Sequence, residues 1–267
     1  MRLDQLLVFQ KKFESRSKAK IAIKEGNVSL LNGMVLQKPS LDLDEKTQLI
    51  VKNTDPYVSR GAYKLLKAIR TFNLDYSEKR VLDIGASTGG FTQVALDHGA
   101  EKVCALDVGS NQLSPMLAGD DRVEVMENYN FRYAKKSDFL QTDFDIIQCD
   151  VSFISLRYII PPAAKFLKTN GKAVFLIKPQ FEAGKKYISK HGIVRDPQVY
   201  LRVIQNVISA MKENHLVVTG LTYSPIKGQH GNIEFLVVVE KSDASGMDHS
   251  VANLNSFIRQ AEENLNS

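Results

Sequence analysis

The sequence predicts a doubly wound, mostly parallel α/β sheet preceded by a small α+β unit. Three observations carry that expectation. From residue 80 onward short apolar runs alternate with amphipathic helical stretches, the pattern of successive βα units. At Val81-Leu82-Asp83-Ile84-Gly85-Ala86-Ser87-Thr88-Gly89-Gly90-Phe91 one apolar run passes through glycines into a helical stretch, as a ligand-binding strand–turn–helix does. Before residue 52, two short amphipathic stretches and an Asn32-Gly33 turn describe a compact ααβ unit.

Taken in order, Leu3, Leu6, Leu7 and Phe9 or Phe13 fall on one face of a first helix. Ala19, Ile21, Ala22 and Ile23 fall on one face of a second, started by Ser15 or Ser17 and ended by Gly26. Residues 28–31 and 34–36 read as strands across the Asn-Gly turn, with 47–51 a third. The polar, proline-containing stretch 52–59 is linker-like. The expected organisation is a first domain at 1–52, a linker at 53–59, a main domain at 60–241 and a tail at 242–267. Ser59 is the expected cap of a helix whose stripe is Leu65, Leu66, Ile69 and Phe72. Strands follow at 80–84, 102–107, near 123–126, 145–149 and 172–177, with helices from 89, at 155–168 and at 198–214. Strands 216–222 and 233–240 form an expected antiparallel edge pair. Residues 242–250 are expected to be flexible and 251–264 a last amphipathic helix.

With 43% apolar residues in 267, the chain can bury a large core. No stretch approaches the ~18 apolar residues of a membrane span and the N-terminus has no apolar signal-like region, so the expected location is the cytoplasm. Cys104 and Cys149 each lie in an apolar run and read as core residues, and no metal site is expected. The net charge of +5 is unevenly spread. Residues 1–64 hold twelve Lys/Arg against seven Asp/Glu, which accounts for the whole excess. A basic first quarter on a neutral body points to a polyanion-binding appendage, the plain alternative being a solvated face. Its candidate contacts are Arg2, Lys11, Lys12, Arg16, Lys18, Lys20, Lys24 and Arg60.

The glycine loop can aim main-chain N–H groups at a polar ligand. Ser87 stands where a dinucleotide loop wants its second glycine, and no Gly-Lys-Ser/Thr follows. With Asp83 two residues before Gly85, the loop resembles motif I of class I S-adenosylmethionine-dependent methyltransferases. Asp107 ends the next strand twenty-two positions after Gly85, near the offset of a carboxylate that bonds ribose hydroxyls. The expected cofactor set is Asp83, Gly85, Ala86, Ser87, Gly89, Gly90, Phe91, Asp107, Val108, Glu127, Asn130 and Asp150, and the expected cofactor is S-adenosylmethionine.

Asp150 ends the fourth strand, Lys178 the fifth, Glu234 interrupts the apolar run 233–239, and Lys64 lies on the helix before the first strand. If the sheet is wound as expected, two lysines and two carboxylates converge at one edge. As plain structure they would be two salt bridges at the rim.

Arg2-Leu3-Asp4, the stretch 15–20, Gly26-Asn27-Val28 and Asn32-Gly33 resemble the small RNA-binding domain shared by a small-subunit ribosomal protein, some pseudouridine synthases and tyrosyl-tRNA synthetases. Tyr57-Val58-Ser59-Arg60-Gly61-Ala62-Tyr63-Lys64-Leu65, the motif I loop, Asp107-Val108-Gly109, Asp150-Val151-Ser152-Phe153-Ile154-Ser155, Ile177-Lys178-Pro179-Gln180-Phe181-Glu182 and Gly231-Asn232-Ile233-Glu234-Phe235 resemble the TlyA (hemolysin A) family of FtsJ-like ribosomal RNA 2′-O-methyltransferases. That resemblance implies methyl transfer to a ribose 2′-hydroxyl, cytidine being the implied target, by a Lys64, Asp150, Lys178 and Glu234 tetrad. The implied partner is ribosomal RNA or a ribosomal subunit, with no membrane or metal, and no protein partner is inferable. Two positions depart from the family pattern: Ala62, where a second glycine is common, and Asn128-Tyr129-Asn130-Phe131-Arg132, a looser form of its Asn-x-Arg segment.

A ribose hydroxyl needs a placed base. Lys178 is the candidate, made neutral by burial and by Lys64 as a neighbouring cation. Asp150 would orient it, and Lys64 and Glu234 would position the ribose. A base methyltransferase would want an amide-proline-aromatic motif after the fourth strand, or catalytic cysteines; a haemolysin would want a signal peptide or an insertion segment; a non-catalytic RNA binder would not need the tetrad.

Overall fold

In the computed structural model, which describes residues 1–13, 15–52, 55–242 and 253–266, Leu3, Leu6 and Leu7 make the buried face of α1 (Leu3–Phe9). Ala19, Ala22 and Ile23 make that of α2 (Arg16–Lys24). Ser15 caps α2 by accepting the Lys18 N–H, and Gly26 leaves it with φ of 75°. Phe9 and Ile21, expected inside, are 62% and 56% exposed because they lie off the i, i+3, i+4 stripe. The turn at Gly33 closes through Leu30 N–H to Met34 and Leu36 N–H to Val28. Residues 34–36 nevertheless add only a single bridge, and the continuous ladder joins β1 (Val28–Leu30) to β2 (Leu49–Val51). These residues belong to one compact unit, Met1–Pro56, with its own apolar core. Residues Tyr57–Ser267 form the second.

The second unit opens with α3 (Ala62–Phe72). Its N-cap is Gly61 with no side-chain cap, so Ser59 is not the expected cap; its carbonyl, rather than its hydroxyl, takes the Ala62 N–H. Then come β3 (Arg80–Ile84), α4 (Gly90–Asp97), β4 (Lys102–Leu106), α5 (Pro115–Ala118), β5 (Val123–Met126), β6 (Phe144–Cys149), α6 (Ile160–Phe166), β7 (Leu167–Ile177), α7 (Pro179–Glu182), α8 (Pro197–Lys212), β8 (Leu216–Tyr223), β9 (Phe235–Lys241) and α9 (Leu254–Asn266). The helix expected at 155–168 is shorter. Pro161 and Pro162 fit only a helix's first turn, so a 3₁₀ turn at Leu156–Tyr158 precedes α6. The stretch 242–250 lies, Ser242 apart, outside the described residues.

Seven strands form one sheet in the order β5-β4-β3-β6-β7-β9-β8, parallel except for β9, which runs antiparallel to both its neighbours. The closing pair is antiparallel as expected, but the last strand inserts inside the edge. Alternate strand residues feed two cores, Leu82 and Ile84 toward α6, α8 and α9, Val81 toward α3 and α4. Leu254, Ile258 and Ala261 of α9 are buried in the first of these.

Candidate active site

Parallel strands β6 and β7 deliver Asp150 and Lys178 to the carboxyl edge of the sheet. Because β9 runs the other way, its entry brings Glu234 to that same edge, next to the Ile177–Phe235 pair. Lys64 reaches in from the start of α3. The structure brings all four groups together. Lys178 Nζ lies 2.5 Å from Asp150 Oδ1 and donates to Ser152 Oγ at 2.8 Å. Lys64 Nζ lies 3.5 Å from Asp150 Oδ2 and donates to Glu234 Oε2 at 2.7 Å. The 2.5 Å contact is an ion pair without hydrogen-bond alignment at Oδ1.

The charges alternate along the row Lys178, Asp150, Lys64, Glu234, and both lysines are only 8% exposed. Burial works against the Lys64 ammonium, but Asp150 and then Glu234 outweigh it, so its pKa lies above the ordinary lysine value. Burial likewise opposes the Asp150 carboxylate, and Lys64 and Lys178 hold its pKa below the usual range. Lys64 and Lys178 are not the adjacent cations that sequence reasoning made them. Asp150 stands between.

Three further residues shape this cluster. Ser152 accepts from Lys178, and Gln180 Nε2 donates to Glu234 Oε1 at 3.4 Å. A β-carbon on Gly228 would lie 2.1 Å from Glu234 Oε1, so only a glycine leaves room for that carboxylate. Ser152 and Gln180 stood within the quoted motifs without an assigned role; nothing local in the sequence marks Gly228.

Beside the cluster a cavity of about 500 Å³ is lined by Gly85, Ser87, Asp107, Val108, Asn130 and Asp150, among others. Gly85 has φ of 84°, and a β-carbon there would meet the Asp150 carbonyl oxygen at 2.7 Å. Asp107 accepts the Ser87 N–H at 2.9 Å and the Gly109 N–H at 2.8 Å, bracing the loop while facing the cavity. Such a volume with a glycine floor and few polar groups fits a nucleoside cofactor.

The remaining expected cofactor residues lie outside the lining. Asp83 is fully buried and takes the Thr92 hydroxyl at 2.6 Å, which ties β3 to α4. Ala86 and Phe91 are buried against the α3–α4 core. Gly89 and Gly90 give close approach to Leu117 and to Ser59 and Ala62. Glu127 gathers the N–H groups of Asn111, Gln112 and Leu113. These residues build and brace the loop. The lining also includes Phe131, Val151, Phe153 and Ile154, apolar residues that motif spacing did not single out.

The family model of FtsJ-like methyltransferases matches residues 57–241. The chain belongs to the FtsJ-like methyltransferase family. It is 37% identical to a Mycobacterium tuberculosis protein named 16S/23S rRNA (cytidine-2′-O)-methyltransferase TlyA, over 88% of this chain and 88% of that one. It is 42% identical to a Brachyspira hyodysenteriae protein named hemolysin A, over 88% of this chain and 98% of that one. A solved Streptococcus thermophilus protein described as a hemolysin shares 44% identity and a TM-score of 0.80, covering 100% of this chain and 97% of that one. The TlyA resemblance in the motifs is thereby borne out.

As an FtsJ-like methyltransferase the chain is an enzyme whose methyl donor is S-adenosylmethionine. A second cavity, of about 940 Å³, is lined by Arg132, Phe153, Arg157, Gln180, Phe181 and Lys185, among others. Phe153 borders both cavities, 84% exposed and with φ of 65°. In the first unit, Arg2, Arg16 and Lys20 gather around Asp4, while Lys11, Lys12, Lys18 and Lys24 are exposed along the α1–α2 segment. Arg60 is exposed and belongs to the second unit. Among the described residues no helix is long and apolar enough to cross a membrane.

Proposed function

We propose that this enzyme transfers the methyl group of S-adenosylmethionine to the 2′-hydroxyl of a cytidine in ribosomal RNA, acting on the RNA or a ribosomal subunit in the cytoplasm. The observation that carries the reading is the position of Asp150, which lines the cofactor cavity and contacts both lysines. Asp150 thus links the donor's cavity to both lysines.

When bound, the cofactor supplies an electrophilic sulfonium methyl. A ribose hydroxyl is too weakly acidic to ionise in water, so its proton must pass to a placed base as the methyl is attacked. Lys178 is that base. It contacts Ser152 and Asp150, both of which line the first cavity. Asp150 and Ser152 fix its amine, and it accepts a proton only in its neutral form. Lys64, held charged by two carboxylates, stabilises the developing alkoxide. Glu234 holds Lys64 in place. Phe153 offers a flat face to a nucleobase, and Arg132, Arg157 and Lys185 offer charge to the neighbouring phosphates. The first unit, with its basic residues, adds RNA affinity.

A base methyltransferase is less well served. Asp150 occupies the place of the amide that such chemistry wants after β6, and burial pushes the Cys149 thiol pKa up, away from nucleophilic use. Mapping 2′-O-methylation in ribosomal RNA from cells with and without the protein tests the proposal. Loss of a cytidine 2′-O-methyl is expected; loss of a base methyl with ribose methylation intact would overturn it.

A further inference from the structure

The basic residues of the first unit are not a loose coat. Asp4, in the first turn of α1, has no solvent exposure, yet its carboxylate is the hub of three cations. Arg2 Nε donates to Oδ1 at 3.0 Å and its Nη2 to Oδ2 at 3.4 Å. Arg16 Nη2 donates to Oδ2 at 2.9 Å, and Lys20 Nζ lies 3.8 Å from the same oxygen. The three cationic side chains are 40%, 48% and 46% exposed. The negative group is therefore inside and the positive groups outside. Hydrogen bonds from Arg2 and Arg16 outweigh burial and hold the Asp4 carboxyl near 2, so it is charged at every pH at which RNA is handled.

A guanidinium carries five N–H donors in a rigid plane. Arg2 spends two on Asp4 and Arg16 spends one, which leaves donors on each for a second anion. Free arginine side chains lose rotamer entropy when they bind a phosphate; chains already held by a buried carboxylate lose less. Three cations on one carboxylate still leave two net positive charges facing out.

We propose that Asp4 is a positioning residue for RNA: it holds Arg2 and Arg16, with Lys20 beside them, as a preformed fork for phosphodiester oxygens. This rests on the RNA reading of the first unit. It makes a prediction opposite in sign to charge counting. Asp4→Asn adds a positive charge to a polyanion-binding face, so electrostatics alone demands tighter binding; the positioning role demands weaker binding.

The test is equilibrium binding of the full-length protein to labelled transcripts of the small- and large-subunit ribosomal RNAs across a salt series. Asp4→Asn should weaken binding by about fivefold. Arg16→Lys keeps the charge and a donor for Asp4 but removes the planar fork, so affinity should fall about threefold with the salt slope unchanged. Arg16→Gln should weaken binding and flatten the slope by roughly 0.7–0.9. Thermal unfolding of each variant reports the integrity of the unit; should Asp4→Asn unfold it, Arg16→Lys decides. Equal or tighter binding by Asp4→Asn in a folded protein, or by Arg16→Lys, overturns the positioning role while leaving the RNA reading intact. Unchanged affinity and slope in Arg16→Gln overturns both.

Discussion

Two clusters of charge in this chain use the same residue types to opposite ends. Around Asp4, one carboxylate is buried and three cations stay about half exposed. At the sheet edge, Lys64, Lys178 and Glu234 are all nearly buried and alternate with Asp150. The first arrangement presents net positive charge to water, where a polyanion can meet it. The second sets two lysines against two carboxylates away from water, where each group fixes its neighbour's geometry and where the pKa values of Lys64 and Asp150 move apart. Burial, more than composition, separates the two clusters.

The sharpest way to break that contrast is at Lys178. Lys178→Ala should lower single-turnover methyl transfer by about 10²–10⁴-fold while calorimetry shows cofactor binding retained. Lys178→Arg should fail as well, because a guanidinium cannot shed its proton near neutral pH. An active Lys178→Arg enzyme would mean that this lysine supplies charge alone, as the cations around Asp4 do.

A geometric probe of the buried cluster comes next in size. Gly228→Ala places a methyl where Glu234 Oε1 lies, so turnover should drop about a hundredfold through misplacement of Glu234 and Lys64, with cofactor affinity kept. Cofactor affinity lost in parallel with turnover would show a wider collapse.

Asp107 is a carboxylate of a third kind, bonded to main-chain N–H groups instead of cations. Asp107→Ala should weaken S-adenosylmethionine binding by about 1–3 kcal/mol in calorimetry. An unchanged affinity would remove Asp107 from the cofactor site.

The smallest effect belongs to Asp83, a carboxyl with no cation at all. Burial, opposed by the Thr92 hydroxyl, pushes its pKa up to about 7. Between roughly pH 4 and 7 the folded state then binds more protons than the unfolded chain, so stability falls as pH rises through that window and levels above it. Asp83→Asn should flatten this part of the profile in denaturant titrations at a series of pH values. An identical pH profile in the variant would contradict the raised value.

The alternation of apolar runs and helices is enough to read the doubly wound sheet, and Asp150, Lys178 and Glu234 are legible because each interrupts or ends an apolar run; Lys64 is legible only from the 57–65 motif. Strand order was less legible. That β9 enters between β7 and β8 depends on pairing between distant segments, which no local pattern carries. Nor does a motif say which way its residues face: Gly85 and Ser87 meet the cavity, while Asp83, Gly89 and Gly90 hold the loop from behind. Gly228 has no left-handed φ to explain it; its reason is a carboxylate that only the folded chain brings near. Apolar periodicity alone extends a helix over 155–168, but Pro161-Pro162 fit only a first turn, so the regular helix begins at Ile160.

The late, inserted β9 also orders events in time. Lys64 and Glu234 are 170 residues apart, and Glu234 enters with the strand that comes last in the sheet's chain order. On a translating ribosome, Met1–Pro56, which has a core of its own, emerges complete before any of the tetrad's strand-borne members. The growing chain therefore acquires its basic unit long before it acquires chemistry. If the first unit binds RNA as proposed, termination between residues 57 and 233 should yield a product that occupies RNA without modifying it, a competitor of the finished enzyme.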